Sequence, residues 1–244
     1  MGVLLALTLH TAAQFASAAA PYVYRDASAP VNARVADLLS KMSPGEKVAQ
    51  LLNPCSSAAA LAAKYSTTGV GGAWGERLPG GDKRFFNAQE AQNWLQETVI
   101  NGSRWGIPVS VYVEGLHGGP GGGTIFPAPV NLGNSWNVSM LKQVGAAIGH
   151  EARIGGCDRV FAPELQVDTD ARFGRFYESF SGDPHLVSVF GYFMTLGIQG
   201  PKAPADSYLG PTHAACEAKH MAAYGNAGKD GAAAEVSEAT FFNK

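Results

Sequence analysis

Four short apolar runs alternate with longer amphipathic segments along this chain, and the alternation limits the possible folds more than any other feature. Short apolar runs bounded by turn residues are typical of strands buried on both faces of a parallel sheet. The segments between them have the 3.6-residue periodicity of helices. The sequence therefore predicts an α/β fold of repeated β–α units. The predicted strands cover Gly69–Trp74, Val109–Val113, Val160–Ala162 and Ala214–Ala218, and the predicted helices cover Ala88–Ile100, Val138–Ile154 and Pro184–Ile198.

Polar residues and proline mark the starts of several helices. Asn137 and Asp183 are suitable N-caps, and Pro184 occupies the first helical position, where proline is tolerated. Near the N-terminus, the segment Ser43-Pro-Gly-Glu46 predicts a capping box. It follows a helix predicted over Val31–Met42, whose apolar side chains share one face. We expect this first section to be a helical lead-in to the β–α units.

Two architectures contain repeated β–α units, the doubly wound sheet and the (β/α)₈ barrel. No glycine-rich dinucleotide fingerprint follows any predicted strand, whereas polar loops follow the strand ends, as in barrel active sites. The sequence therefore favours a (β/α)₈ TIM barrel. Because a barrel needs eight strands and only four are predicted, we expect about the first half of a barrel, with an open sheet edge.

Charge and hydropathy exclude several classes of partner. The 244 residues carry a net charge of -2, and the basic residues are scattered, so no basic stripe exists to neutralise phosphates. No apolar run reaches the roughly 18 residues that a membrane span requires. We therefore expect no nucleic acid partner and no membrane span. A neutral small molecule is the expected partner.

The first residues have the features of a secretory leader. Val3–Leu9 is a short apolar run, and Ala16-Ser17-Ala18 offers small residues to a signal peptidase. The sequence predicts a signal peptide over residues 1–18 and a secreted protein. The sequons at Asn101 and Asn137 fit a glycoprotein that follows this route.

Other candidate motifs carry no predicted chemistry. Cys55, Cys157 and Cys216 are widely spaced, so we expect buried free thiols rather than a zinc site or a disulfide framework. The Gly118–Gly123 run lacks the Lys-Ser/Thr pair of a phosphate-binding loop and is expected to be flexible. The pair His150-Glu151 lacks a second histidine at helical spacing. No metal and no cofactor are therefore expected.

Charged residues follow three of the predicted strands and form the candidate site. Glu114 follows the second strand, Arg175 lies after the third, and Lys219-His220 follows the fourth. Because the ends of parallel strands meet at one rim, we expect these groups to converge on one sugar ring, with Glu114 accepting hydrogen bonds from adjacent hydroxyls. Arg175, Lys219 and His220 would supply donors. The alternative is that Glu114 only forms a structural ion pair with an arginine.

These residues belong to a series of motifs that resembles glycoside hydrolase family 3. The resemblance covers roughly residues 22–240. The motifs occur in the order of that family. Three positions differ from its usual residues: Phe173 replaces a tryptophan, Gly182 replaces a glutamate, and Asp168-Thr-Asp170 stands where Arg-Asp is common. The motifs are Tyr24-Arg-Asp26, the segment from Val31 to Leu51, Glu114-Gly-Leu-His-Gly118, Phe126-Pro127, Ala162-Pro163, Arg172-Phe-Gly-Arg175, Glu178-Ser179, Asp183-Pro184 and Lys219-His220.

The resemblance implies a retaining hydrolase for β-linked glucosides or oligosaccharides. It implies that Glu114, Arg175, Lys219 and His220 bind the non-reducing terminal glucose. It places both the nucleophile and the acid/base beyond Lys244, so no residue here is predicted to be catalytic, and residues 19–244 are expected to be the N-terminal portion of the barrel domain. The predicted N-cap Ser237 lies close to Lys244, which also suggests truncation. A β-xylosidase and a non-catalytic, degenerate sugar-binding protein remain alternatives.

Overall fold

The computed structural model describes residues 22–84, 87–118, 123–170, 172–201, 209–221, 224 and 237. The leader predicted at residues 1–18, residues 119–122 of the Gly118–Gly123 run and the helix predicted to begin at Ser237 lie outside this range. The chain divides into two compact units, residues 1–47 and residues 48–244. Within the described residues, no helix is long and apolar enough to cross a membrane.

The first unit contains two helices with a capping box between them. A short 3₁₀ helix, Val23–Arg25, precedes α1 (Val31–Lys41), and α2 (Pro44–Ala49) begins in this unit. The Ser43 hydroxyl accepts a hydrogen bond from the Glu46 amide at 3.2 Å, and the Glu46 carboxylate accepts one from the Ser43 amide at 2.8 Å. The predicted capping box is therefore confirmed.

Most of the apolar face predicted for α1 is exposed. Val31, Val35 and Leu39 are all exposed, and Met42, one residue beyond the helix, is buried. Within its own unit α1 packs against the 3₁₀ helix Val23–Arg25, which is too short to cover an eleven-residue helix. Periodicity shows that side chains share a face, but a neighbouring element must still cover that face.

The second unit is a parallel sheet with helices between its strands. The predicted strands and long helices are present with ends shifted by a few residues, whereas α3, which is rich in alanine, and the short α5 were not predicted. The strands are β1 (Gly72–Trp74), β2 (Ser110–Glu114), β3 (Arg159–Phe161) and β4 (Ala215–Cys216). The helices are α3 (Ala58–Tyr65), α4 (Ala88–Gly102), α5 (Pro129–Asn134), α6 (Val138–Ile154) and α7 (Pro184–Gln199).

The order of the strands distinguishes the two architectures left open by the sequence. All pairings are parallel, and the order is β1-β2-β3-β4, with Ala73 opposite Val111, Val113 opposite Val160, and Val160 opposite Cys216. A doubly wound sheet reverses its strand order at a switch point, and this sheet does not. The described fold is therefore α/β of the (β/α)-barrel type, with four strands.

The predicted N-caps hold the starts of the two longest helices. The Asn137 side chain accepts a hydrogen bond from the Met140 amide at 3.0 Å. The Asp183 carboxylate accepts hydrogen bonds from the amides of His185 and Leu186 at 2.7 and 3.2 Å. Both predictions are confirmed, because each cap satisfies donors that the first turn leaves unpaired.

Glycines allow α6 and α7 to approach each other closely. A Cβ atom on Gly145 would lie 2.5 Å from the carbonyl oxygen of Met194, and one on Gly149 would lie 2.5 Å from that of Ile198. A Cβ atom on Gly197 would overlap the carbonyl oxygen of Lys142. The two backbones are therefore in direct contact, which fixes α7 and the loop that precedes it.

All three cysteines are free, but only part of the prediction about them is confirmed. Cys157 is buried and Cys216 is half-buried, whereas Cys55 is exposed. Burial raises the pKa of Cys157 to about 11 and that of Cys216 to about 12. Both of these thiols are therefore protonated at neutral pH and unreactive as nucleophiles.

Candidate functional site

A pocket of about 290 Å³ lies at the carboxyl ends of the strands. Three of the four predicted site residues, Glu114, Arg175 and Lys219, line it together. Two further carboxylates, Glu76 and Glu178, also line it. The remaining lining residues are Leu116, His117, Gly118 and Ile125. The sheet therefore brings together charged groups that are far apart in sequence.

Glu114 is the last residue of β2 rather than the residue after it. Val111 and Val113 are buried, and Glu114 alternates with them, so its side chain lies on the opposite face of the sheet. Its side chain is 35% exposed. The strand thus presents one carboxylate at its end to the pocket.

Lys219 is held by the loop that follows β3. Its amide donates to the Pro163 carbonyl at 3.0 Å, and its carbonyl accepts from the Leu165 amide at 2.5 Å. Its side chain is 3% exposed, and Nζ lies 2.8 Å from Glu114 Oε2 and 4.5 Å from the centroid of the Phe161 ring. The ion pair considered as an alternative for Glu114 therefore exists, but its cation is a lysine and not an arginine.

Arg175 is fixed by two partners. Its guanidinium donates from Nε and Nη2 to the two carboxylate oxygens of Glu178 at 2.7 and 2.8 Å, and from Nη1 to Tyr224 Oη at 2.8 Å. Burial opposes ionisation of Glu178, but the hydrogen bonds and charge of Arg175 outweigh it, and the pKa of Glu178 is lowered. The pair is therefore charged at neutral pH, with the arginine fork held in one orientation.

His220 is adjacent to Lys219 but is not among the residues that line the pocket. Its ring packs edge-on against Phe161 at 6.4 Å between centroids and lies 4.3 Å from the Tyr224 ring. Its Nδ1 lies 2.5 Å from Glu164 Oε2. The predicted convergence is thus present for three residues, and a role in sugar binding stays a prediction for all four.

Sequence reasoning missed several residues of the site. Glu76 lies two residues after the end of β1 and accepts a hydrogen bond from Trp74 Nε1 at 3.2 Å, so its position after a strand could have identified it. Tyr224 and Glu164 gave no signal, because their contacts depend on the path of the chain after β4 and β3. Glu178 belongs to the Glu178-Ser179 motif, but the sequence predicted no role for it.

Glu151, from one of the motifs without predicted chemistry, makes a structural contact. Within the described ranges, no group of three or more histidine, cysteine, aspartate or glutamate residues could hold a metal ion. The Glu151 carboxylate accepts hydrogen bonds from the Thr124 amide and hydroxyl at 2.9 and 2.6 Å. This residue therefore ties α6 to the loop that follows β2.

The parallel sheet with its helices agrees with the comparisons to known proteins. Residues 45–241 match the model of the glycosyl hydrolase family 3 N-terminal domain. A periplasmic β-glucosidase of Salmonella typhimurium is 32% identical over 87% of this chain and 26% of its own length. A β-xylosidase of Formosa agariphila is 33% identical over 55% of this chain and 20% of its own length.

A solved structure is also similar. A β-glucosidase of Erythrobacter marinus superposes with a TM-score of 0.71 at 33% identity, covering 87% of this chain and 29% of that one. The chain thus spans less than a third of the length of each of these relatives. Because the family model matches most of the chain, the protein belongs to glycosyl hydrolase family 3.

Proposed function

We propose that this chain contributes the glucose-binding pocket of a retaining β-glucosidase, which releases terminal non-reducing β-D-glucose. The observation that carries the proposal is the convergence of Glu114, Arg175 and Lys219 on one pocket at the strand ends. Relatives named β-glucosidases support the reaction class. We assign no catalytic carboxylate to residues 1–244. The bond cleavage itself is proposed for the whole enzyme.

The chemistry of the pocket suits a sugar ring. Glu114 offers a charged acceptor for hydroxyl groups, while Arg175 and Lys219 offer charged donors, and charge-assisted hydrogen bonds are stronger than neutral ones. The volume of about 290 Å³ is just below the ~300 Å³ at which the range of small-molecule sites begins. One terminal sugar therefore fits this pocket better than an oligosaccharide does.

A β-xylosidase is the second candidate. One relative of this kind is 33% identical over 144 residues, which include about half of this chain. A xyloside differs from a glucoside by the missing hydroxymethyl group, and no described contact identifies where that group would lie. Parallel titrations with glucose and xylose distinguish the two candidates, since the preferred sugar should bind more tightly.

We expect Arg175→Ala to weaken glucose binding by about ten- to a hundredfold. The substitution removes charged donors, each worth roughly 1.5–3 kcal/mol. Titration of the 244-residue chain with glucose, followed by calorimetry or NMR, measures the effect. Arg172→Ala is the matched control, because Arg172 lies three residues away, is paired with Asp170, and does not line the pocket. Equal glucose affinity of folded Arg175→Ala and the parent chain would contradict the proposal.

We also propose that the protein is exported and glycosylated. The apolar run Val3–Leu9, the small residues at Ala16–Ala18, and the exposed side chains of Asn101 and Asn137 support this. We expect the secreted protein to begin at residue 19 and to lose mass after treatment with an N-glycosidase. N-terminal sequencing and mass spectrometry measure both properties. Retention inside the cell with residues 1–18 intact would exclude export.

A further inference from the structure

A buried carboxylate contacts the residue next to Lys219 and is not used by the proposed function. The Glu164 side chain, in the loop after β3, is 0% exposed. Its Oε1 accepts hydrogen bonds from the amide of Gln166 at 3.1 Å and from the amide of His220 at 2.9 Å. A buried carboxylate is costly unless it is paired, so these contacts require a structural or functional reason.

The second oxygen of Glu164 faces the imidazole of His220. Oε2 and Nδ1 are 2.5 Å apart. Two such atoms at this distance need a proton between them, since facing lone pairs would repel each other. The nitrogen that carries the proton in a histidine is set by the partner of each nitrogen. Imidazole is the stronger base of the two groups, so the shared proton is assigned to Nδ1.

We propose that Glu164 is a positioning residue for the sugar pocket. Glu164 clamps the Lys219–His220 segment, because one carboxylate oxygen holds the His220 amide and the other holds a proton on His220 Nδ1. The clamp acts beside two main-chain hydrogen bonds of Lys219, to Pro163 and Leu165. Lys219 in turn reaches Glu114 at 2.8 Å. The consequence for sugar binding rests on the proposed function, whereas the location of the proton does not.

The charges around the clamp are consistent with a shared proton. Burial raises the pKa of the Glu164 carboxyl, Glu178 raises it further, and the two amide donors and Lys219 oppose the rise. On the other side, the His220 ring packs against Phe161 and against Tyr224, which accepts a hydrogen bond from Arg175. A higher pKa brings the proton affinity of the Glu164 carboxylate closer to that of the His220 imidazole. Closely matched proton affinities favour a short contact between Oε2 and Nδ1.

An isosteric substitution tests the clamp. In Glu164→Gln, the amide oxygen must stay where Oε1 accepts two main-chain amides, so the NH₂ group takes the place of Oε2 and donates to Nδ1. We expect ¹⁵N NMR at neutral pH to show a protonated Nδ1 in the parent 244-residue chain and an unprotonated Nδ1 in the variant. A residue with only a space-filling role would not change this signature.

Two glucose titrations connect the clamp to the pocket. Glu164→Gln retains the main-chain hydrogen bonds, so its glucose affinity should stay within about threefold of the parent. Glu164→Ala loses the whole clamp, and we expect about tenfold weaker binding because Lys219 is displaced. Glu217→Gln is the control, since Glu217 pairs with Arg159 and does not line the pocket. It should change neither the His220 signals nor glucose affinity.

The outcomes separate this inference from the proposed function. An unprotonated Nδ1 in the parent chain, or an unchanged Nδ1 signal in Glu164→Gln, overturns the clamp. Parent-like glucose affinity of a folded Glu164→Ala chain overturns its role for the pocket. If the parent chain binds neither glucose nor xylose, the proposed function fails, while the ¹⁵N signals still decide the proton position. If Glu164→Ala does not fold, the two results from Glu164→Gln decide the inference.

Discussion

Glu114→Ala is expected to lower the free energy of unfolding by about 3 kcal/mol, whereas Lys219→Met should lower it by less than about 1 kcal/mol. The reason is the unequal burial of the pair, since the lysine side chain is 3% exposed and the glutamate side chain is 35% exposed. Removing the carboxylate leaves a buried ammonium without the counter-charge that it contacts directly. Removing the ammonium leaves a carboxylate that water can reach, and methionine fills the space of the lysine stem.

Chemical denaturation of the two variants and the parent chain measures this asymmetry. Glu76→Ala is the matched control, because Glu76 is an exposed carboxylate that lines the same pocket. Its removal should change stability by no more than about 0.5 kcal/mol. Equal losses of stability for Glu114→Ala and Lys219→Met would mean that the unequal burial of the two side chains does not set the cost of breaking the ion pair.

The same two variants separate a sugar ligand from a structural ion pair. If Lys219 donates to a sugar, Lys219→Met should weaken glucose binding by about ten- to a hundredfold while the chain stays folded. A purely structural pair predicts a change in stability with unchanged glucose affinity. Lys219→Met is the more informative variant for binding, because its expected loss of stability is small.

Gly197→Leu is expected to destabilise the chain by at least about 3 kcal/mol, at the upper end of the usual cost of overpacking. A Cβ atom at this position would overlap the Lys142 carbonyl oxygen and lie 2.8 Å from the Ala146 amide nitrogen. Both neighbours are main-chain atoms of α6, which cannot change rotamer to make room. The helix pair must therefore separate, and the well-packed interface between them opens.

Gly45→Leu is the control for this substitution. Gly45 is also a helical glycine, but an added Cβ would have no neighbour within 4 Å. Leucine has the higher helix propensity, so this variant should be neutral or slightly stabilised. Thermal and chemical unfolding of both variants measure the difference. A Gly197→Leu chain as stable as the parent would show that α6 and α7 are not held in direct contact.

Local patterns in the sequence determined most of the secondary structure of this protein. Asn137, Asp183 and the Ser43–Glu46 capping box act within three residues of themselves, so their hydrogen bonds could be predicted without the fold. The apolar runs identified all four strands of the described residues for the same reason, since burial on both faces requires a continuous apolar segment. The position of Glu114 at a strand end followed from the strand itself.

The tertiary structure alone decided which of these elements and groups meet. The partner of Glu114 lies 105 residues away, and only the sheet pairing brings Lys219 to it. The exposure of Val35 on α1 and the contact of Gly197 with α6 depend on neighbouring elements that periodicity does not specify. The Glu164–His220 contact likewise depends on two loops that meet beside β3 and β4. Short-range energies fix helices and strands, whereas long-range contacts form only after the chain has closed into its sheet.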